Sequence, residues 1–199
     1  MTVPTQAVDW ESRYQAGTTG WQRADLNPAW SAWIKAGTLA PCRILVPGAG
    51  RSAEPLALAK AGFTVTVVDV APSAVAFQQE RLTPAGGEVV LADLFAYQPE
   101  RPFDAIYDQT CLCALPPDLW DAYAARLAGW LRPGGILAAL FMQTGRDGGP
   151  PFHCDLARMR TLFPEPLWTW PAELSPPVNH PSGLSEQPAD LTRTVRPLP

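Results

Sequence analysis

The chain has 199 residues, 47% of them hydrophobic and 17% charged, enough to bury one core of ordinary domain size. Its net charge of -4, with no basic stripe, argues against nucleic-acid or membrane-surface partners. No apolar run approaches the ~20 residues of a spanning helix, and the first ten residues carry no secretory pattern, so a cytoplasmic protein is expected.

In chain order, "VDWESRYQAG" (8–17) reads as a short helix with Trp10 and Tyr14 one turn apart on one face. A loop through Trp21 leads to a second helix, opened by Asn27 as N-cap with Pro28 behind it and closed by Gly37. "RILVPG" (43–48) is a buried strand, "SAEPLALAKAG" (52–62) a helix, and "FTVTVVD" (63–69) a β-branched strand. "APSAVAFQQERL" (71–82) is a helix. "GEVVLAD" (87–93) and "FDAIYD" (103–108) are strands that each end, like the one before, in an aspartate. "PPDLWDAYAARLAGWLRPGG" (116–135) is a helix closed by a Pro-Gly-Gly turn, "ILAALFM" (136–142) a strand and "DLARMRTLF" (155–163) a helix. Two edge strands are expected at 166–171 and 191–196 in the proline-rich last quarter.

Alternating strands and helices imply right-handed βαβ units and a doubly wound, mostly parallel α/β sheet, here of seven strands. Ligands bind such sheets at the carboxyl ends of the strands. Asp69, Asp93 and Asp108 share that rim with the glycine loop "GAGRSA" (48–53). The loop fits G-x-G-x-x-A, a spelling compatible with NAD and, more loosely, with S-adenosylmethionine. Gly48 and Gly50 allow close backbone approach, and Asp69, ~20 residues on, is placed to accept from the ribose hydroxyls of either cofactor. Asp93 separates the two readings. An acid after the third strand suits the adenine amine of S-adenosylmethionine, with Leu94 and Phe95 against the ring. An NAD enzyme would also need a Tyr-x-x-x-Lys or a His-acid pair, and neither is evident. A non-catalytic S-adenosylmethionine-binding protein is a further alternative.

Four cysteines and two histidines show no metal-ligand spacing, so no metal is expected. Cys111 and Cys113 lie beside the rim and read as packing thiols. His153 reads equally as a pocket residue, a base or a cap.

The segments "GW…LNP", "ILVPGAGRSAEPLALAKAGFTVTVVDVAPSAV", "ADLF", "FDAIYDQTCLCALPP", "LRPGG" and "GGPPF" together resemble the thiopurine S-methyltransferase family, nearest its thiol and halide methyltransferase branch. The resemblance spans about residues 9 to 165. It implies a Rossmann-like class I methyltransferase that uses S-adenosylmethionine to methylate a small soft nucleophile (a thiol, sulfide or halide) and acts as a monomer. It implies an antiparallel last strand and an N-terminal helical lid. It divides the chain into a lid segment (1–40), a cofactor-binding core (41–145) and a proline-rich loop with C-terminal strands (146–199), all one domain. It also assigns Trp10, Tyr14 and Trp21 to the cofactor's cover, Gly48 and Gly50 to its loop, Asp69 to its ribose, and Asp93 with Leu94 to its adenine. Asp108 falls beside the reacting centre, as a cofactor contact and catalytic candidate. Tyr14 stands where the halide branch often has tryptophan. Gln109 replaces the arginine of thiopurine methyltransferases, which favours a smaller acceptor. Phe152, with Trp21 and Tyr14, is a candidate pocket wall.

Overall fold

The computed structural model describes residues 8–195. Its strands are β1 (Arg43–Pro47), β2 (Thr64–Asp69), β3 (Glu88–Leu91), β4 (Phe103–Gln109), β5 (Leu131–Gln143), β6 (Trp168–Thr169), β7 (Val178–Asn179) and β8 (Ser185–Arg193). They form one sheet in the order β3-β2-β1-β4-β5-β8-β6, with β7 paired to β8 off that path. From β3 to β5 every pairing is parallel. β8 runs antiparallel to β5 along eight residue pairs, from Ile136–Thr192 to Gln143–Ser185.

Parallel strands covered on both faces must be apolar on both faces. Ile44, Leu45, Val67, Val68 and Ile106 are accordingly fully buried. The alternation then sorts them: Leu45, Val68 and Ile106 join Tyr123, Leu127 and Phe163 in one core, while Ile44, Val46 and Val67 join Trp33, Leu58 and Tyr107 in the other.

The helices are α1 (Trp10–Gln15), α2 (Pro28–Ala36), α3 (Glu54–Lys60), α4 (Pro72–Leu82), α5 (Trp120–Trp130) and α6 (Leu156–Leu162). The expected cap of α2 is present: the Asn27 side chain accepts from the Ala29 N–H, Pro28 follows, and Gly37 closes the helix. Asn27 is itself fully buried; its N–H donates to Glu54 and its side-chain amide to Glu186. No helix among the described residues is long and apolar enough to cross a membrane.

Three expectations change. The helix read over 116–135 ends at Trp130, and Leu131 already pairs with Phe103, so "RPGG" lies inside β5 as an irregularity before Ile136 pairs with Ala105. The strand read over 87–93 ends at Leu91. Asp93 follows it in a turn, where Oδ1 accepts from the Phe95 N–H. The last long strand is 185–193 rather than 191–196, and 166–171 shrinks to two residues; Arg196 lies outside the described residues. β8 was hidden by "SEQP", whose polar side chains and proline are atypical of a sheet interior.

Candidate active site

The carboxyl ends of β1, β2 and β4 surround the point where the sheet order reverses, and the chain leaves each as a tight turn. Gly48 takes φ 55° and its N–H donates to the Val68 carbonyl at 2.8 Å, binding the β1 loop to β2. A Cβ on Gly48 would stand 2.8 Å from Cys111 Sγ, and one on Gly50 would run into the Tyr14 hydroxyl. Both glycines are therefore demanded by left-handed backbone and by close neighbours.

Asp69, only 6% exposed, uses one oxygen for the Gly50 N–H at 2.8 Å and the other for the Ala71 N–H at 2.9 Å. Burial raises its pKa above the usual carboxylate value, against the pull of those two N–H groups. Gln78 completes the brace by donating to the carbonyls of Gly50 and Ser52.

These turns open into a cavity of about 550 Å³. Trp10, Tyr14, Trp21, Gly48, Gly50, Asp69, Asp93 and Leu94 all line it. Trp21 meets Trp10 and Tyr14 edge to face at 5.5 and 5.8 Å. Arg51 lies over the Tyr14 ring at 4.9 Å. Burial and the Asp69 charge push the Tyr14 phenol up to about 12, so it stays neutral. The N-terminal segment is held at two points: Glu11 accepts from the Ser73 N–H and hydroxyl at 2.8 and 2.6 Å, and Arg23 donates to the Asn179 carbonyl at 2.7 Å.

Asp108 does not join the cavity lining. It is 2% exposed, behind the wall, accepting from the Tyr123 hydroxyl at 2.9 Å and from the Leu112 N–H at 3.3 Å. Burial raises its pKa to about 6. Between it and the cavity runs Gln109–Cys113. There Thr110 holds φ 59°, a rare conformation for a β-branched residue, and Gln109 Oε1 accepts from the Tyr107 hydroxyl at 2.7 Å.

Cys111 and Cys113 line the cavity, but burial drives both thiols well above their usual pKa, and a protonated thiol is a poor nucleophile. Phe152 stays outside the lining. Its N–H donates to the Cys113 carbonyl at 2.7 Å, and Pro150 and Pro151 form the wall instead. His153 is also outside; Nδ1 accepts from the Thr144 and Gly145 N–H groups, a cap on the end of β5.

Other lining residues carry no motif. Arg23, Met142, His180 and Ser182 reach the cavity from the N-terminal loop, β5 and the β7–β8 turn. Glu186, fully buried on β8, lies 3.6 Å from Arg23, and burial lifts its pKa to about 7. The nearest sequence signals were Arg23 two residues past Trp21 and one of only two histidines in a Pro-Ser-Gly turn.

A doubly wound sheet with an antiparallel last strand and a glycine loop braced by a strand-end acid is the arrangement expected of a Rossmann-like S-adenosylmethionine-dependent methyltransferase. Comparisons agree: residues 5–170 match the thiopurine S-methyltransferase (TPMT) family. A thiopurine S-methyltransferase of Azotobacter vinelandii is 33% identical over 174 residues, covering 77% of this chain and 80% of that protein. A probable thiol methyltransferase 2 of Arabidopsis thaliana is 29% identical over 159 residues, covering 77% and 70%. Among solved structures, the 1,6-didemethyltoxoflavin-N1-methyltransferase of Burkholderia thailandensis, with S-adenosylhomocysteine bound, superposes with a TM-score of 0.74 at 23% identity, covering 98% of this chain and 93% of that one. The chain belongs to the thiopurine S-methyltransferase family, and its methyl donor is S-adenosylmethionine.

Proposed function

We propose that this enzyme methylates a small soft nucleophile, a thiol, sulfide or halide, in the cavity at the β1–β4 switch point. The observation that carries the reading is the composition of that cavity. Acids and a braced glycine loop come from the β1–β3 half, while Leu115, Pro116, Leu119, Met142, Pro150 and Pro151 form an apolar wall.

The residues present fit S-adenosylmethionine. Each Asp69 oxygen accepts one backbone N–H, and a carboxylate oxygen has room for a second donor such as a ribose hydroxyl. Asp93 and Leu94, both in the cavity lining, would hold the adenine, the acid accepting from its exocyclic amine. Trp10, Tyr14 and Trp21 supply ring faces and edges, and a sulfonium near a ring face gains on the order of 0.5–2 kcal/mol. Gly48 and Gly50 keep the loop close to the ligand. Asp108 acts from behind the wall as a positioning residue for Gln109–Cys113.

When bound, S-adenosylmethionine supplies an electrophilic methyl: the acceptor's lone pair forms the new bond while the carbon–sulfonium electrons leave with S-adenosylhomocysteine. The protein's part is alignment and exclusion of water. An alkyl thiol is already a few per cent thiolate at neutral pH, so no strong base is required. The segment 9–26 serves as the cover.

The chain works as one domain, with lid segment, core and C-terminal strands at 1–40, 41–145 and 146–199. It acts as a cytoplasmic monomer without a nucleic-acid partner, consistent with its net charge of -4. Gln109, already engaged by Tyr107, offers no cation to a thiopurine. The test is an acceptor panel read by S-adenosylhomocysteine release. Hydrosulfide and methanethiol should be turned over with kcat/KM at least tenfold above that for 6-mercaptopurine. The reverse order would overturn the small-acceptor reading.

A further inference from the structure

His180 is fixed in the β7–β8 turn by two backbone bonds, its N–H to the Leu184 carbonyl at 2.9 Å and the Gly183 N–H to its own carbonyl at 3.0 Å. Its ring Nδ1 accepts from the Ser182 N–H at 3.2 Å, with the Ser182 hydroxyl at 2.7 Å. A backbone N–H can only donate, so Nδ1 carries the lone pair and the neutral ring bears its proton on Nε2. Burial and the Arg23 charge lower the pKa of this imidazole to about 4, which keeps it neutral under ordinary conditions. The residue is 4% exposed, and Nε2 is buried without a partner.

Arg23 repeats the pattern from the other side. It donates to the carbonyl of Asn179, the residue before His180, yet its Nε is buried without an acceptor. Both residues line the cavity. Buried donors are nearly always paired, so two unpaired ones on one cavity wall call for an acceptor that arrives with a ligand. Of the nearby carboxylates, Glu54 accepts from the Asn27 N–H and Glu186 Oε2 from the Asn27 amide; that same oxygen lies 3.6 Å from Arg23 Nη1, and neither carboxylate hydrogen-bonds Arg23 Nε or His180 Nε2, although Glu186 Oε1 is itself buried without a partner.

The sheet order separates this pair from the rim acids. β8 lies four strands from β2, roughly 19 Å at ~4.8 Å per strand. The β7–β8 turn, which bears His180 and holds Arg23 through the Asn179 carbonyl, therefore lies at the end of the cavity away from Asp69.

Resting on the methyltransferase reading above, we propose that His180 and Arg23 form the acceptor subsite, where Nε2–H and Nε–H donate to an already ionised nucleophile such as a thiolate, hydrosulfide or thiocyanate anion. His180 is then a binding donor that selects the anion, and proton removal is left to solvent.

The direct test is nitrogen-detected NMR of the two histidine rings in the S-adenosylhomocysteine complex, titrated with thiocyanate. The His180 Nε2–H signal should shift saturably while His153, capped by backbone, stays fixed. In turnover with hydrosulfide, His180→Leu should raise KM at least tenfold, with the Kd for S-adenosylhomocysteine changed less than twofold. His180→Gln, which keeps an N–H donor, should recover most of the loss. The proposal is overturned if thiocyanate leaves the His180 ring unmoved. It is equally overturned if the variants weaken S-adenosylhomocysteine and leave the hydrosulfide KM alone, since the donors would then serve the cofactor. Should no acceptor be turned over, the methyltransferase reading fails while the ring titration still decides whether the anion subsite exists. If His180→Leu does not fold, the titration and His180→Gln carry the test.

Discussion

The Asp69 carboxylate accepts the Gly50 N–H at 2.8 Å, so the acid ending β2 braces the loop leaving β1. One residue thus shapes the loop and lines the cavity. Replacing Asp69 by Ala should weaken S-adenosylmethionine binding at least tenfold in titration calorimetry. Unchanged affinity would remove Asp69 from the cofactor's contacts.

Gly50 is pressed by the Tyr14 hydroxyl and holds φ 54°. Gly50→Ala adds a clash to a left-handed conformation that alone costs a non-glycine residue about 1–2 kcal/mol. Chemical denaturation should report a loss of at least that size, with part of it regained on adding Tyr14→Phe. Simple additivity of the two substitutions would show that the hydroxyl is not the obstacle.

Asp108 gives a pH signature. Its folded pKa of about 6 lies above the ordinary carboxylate value, so the native state binds the extra proton between about pH 4 and 6. Stability from this group is therefore greatest at the acid end and falls as pH rises through 6. Asp108→Asn abolishes the titration. Relative to wild type, the variant should gain up to about 3 kcal/mol between pH 4 and 6 and no more above it. A difference curve flat with pH would contradict the assignment. Glu186 titrates with the same sign near pH 7 in both proteins; the Asp108 charge is a minor influence raising it, so Asp108→Asn moves that step slightly to lower pH.

Trp21, only half-buried, joins Trp10 and Tyr14 over the cavity in a small cluster with Ala71 and Ala74. Trp21→Ala should lower kcat/KM at least tenfold and leave the melting temperature within a few degrees. Wild-type turnover would take Trp21 out of the cover.

The sheet was legible because its central strands are buried on both faces and so read as β-branched, apolar runs; "TVTVVD" admits no other assignment once Gly62 stops the preceding helix. The α2 boundary was equally plain, since Asn27-Pro28 and Gly37 each satisfy a helix end. β8 was not, because Glu186 and Gln187 are buried polar residues whose partners, Arg23, Asn27 and the Ser175 carbonyl, are remote in sequence. The same reason hid Arg23 and His180. Their meaning lies in a contact between the N-terminal loop and a C-terminal turn, which no local pattern encodes. Asp108 misled differently: strand position placed it on the rim, but its side chain turns toward Tyr123, and the following Gln109–Cys113 segment forms the wall.

The most direct measurement is a headspace assay with S-adenosylmethionine and, separately, hydrosulfide, methanethiol, iodide and thiocyanate, quantifying each volatile methylated product. Enzyme-dependent product is expected from at least one of these acceptors, stoichiometric with S-adenosylhomocysteine. No product from any, with S-adenosylmethionine bound by the same preparation in calorimetry, would contradict it and point to a larger acceptor or a binder without turnover.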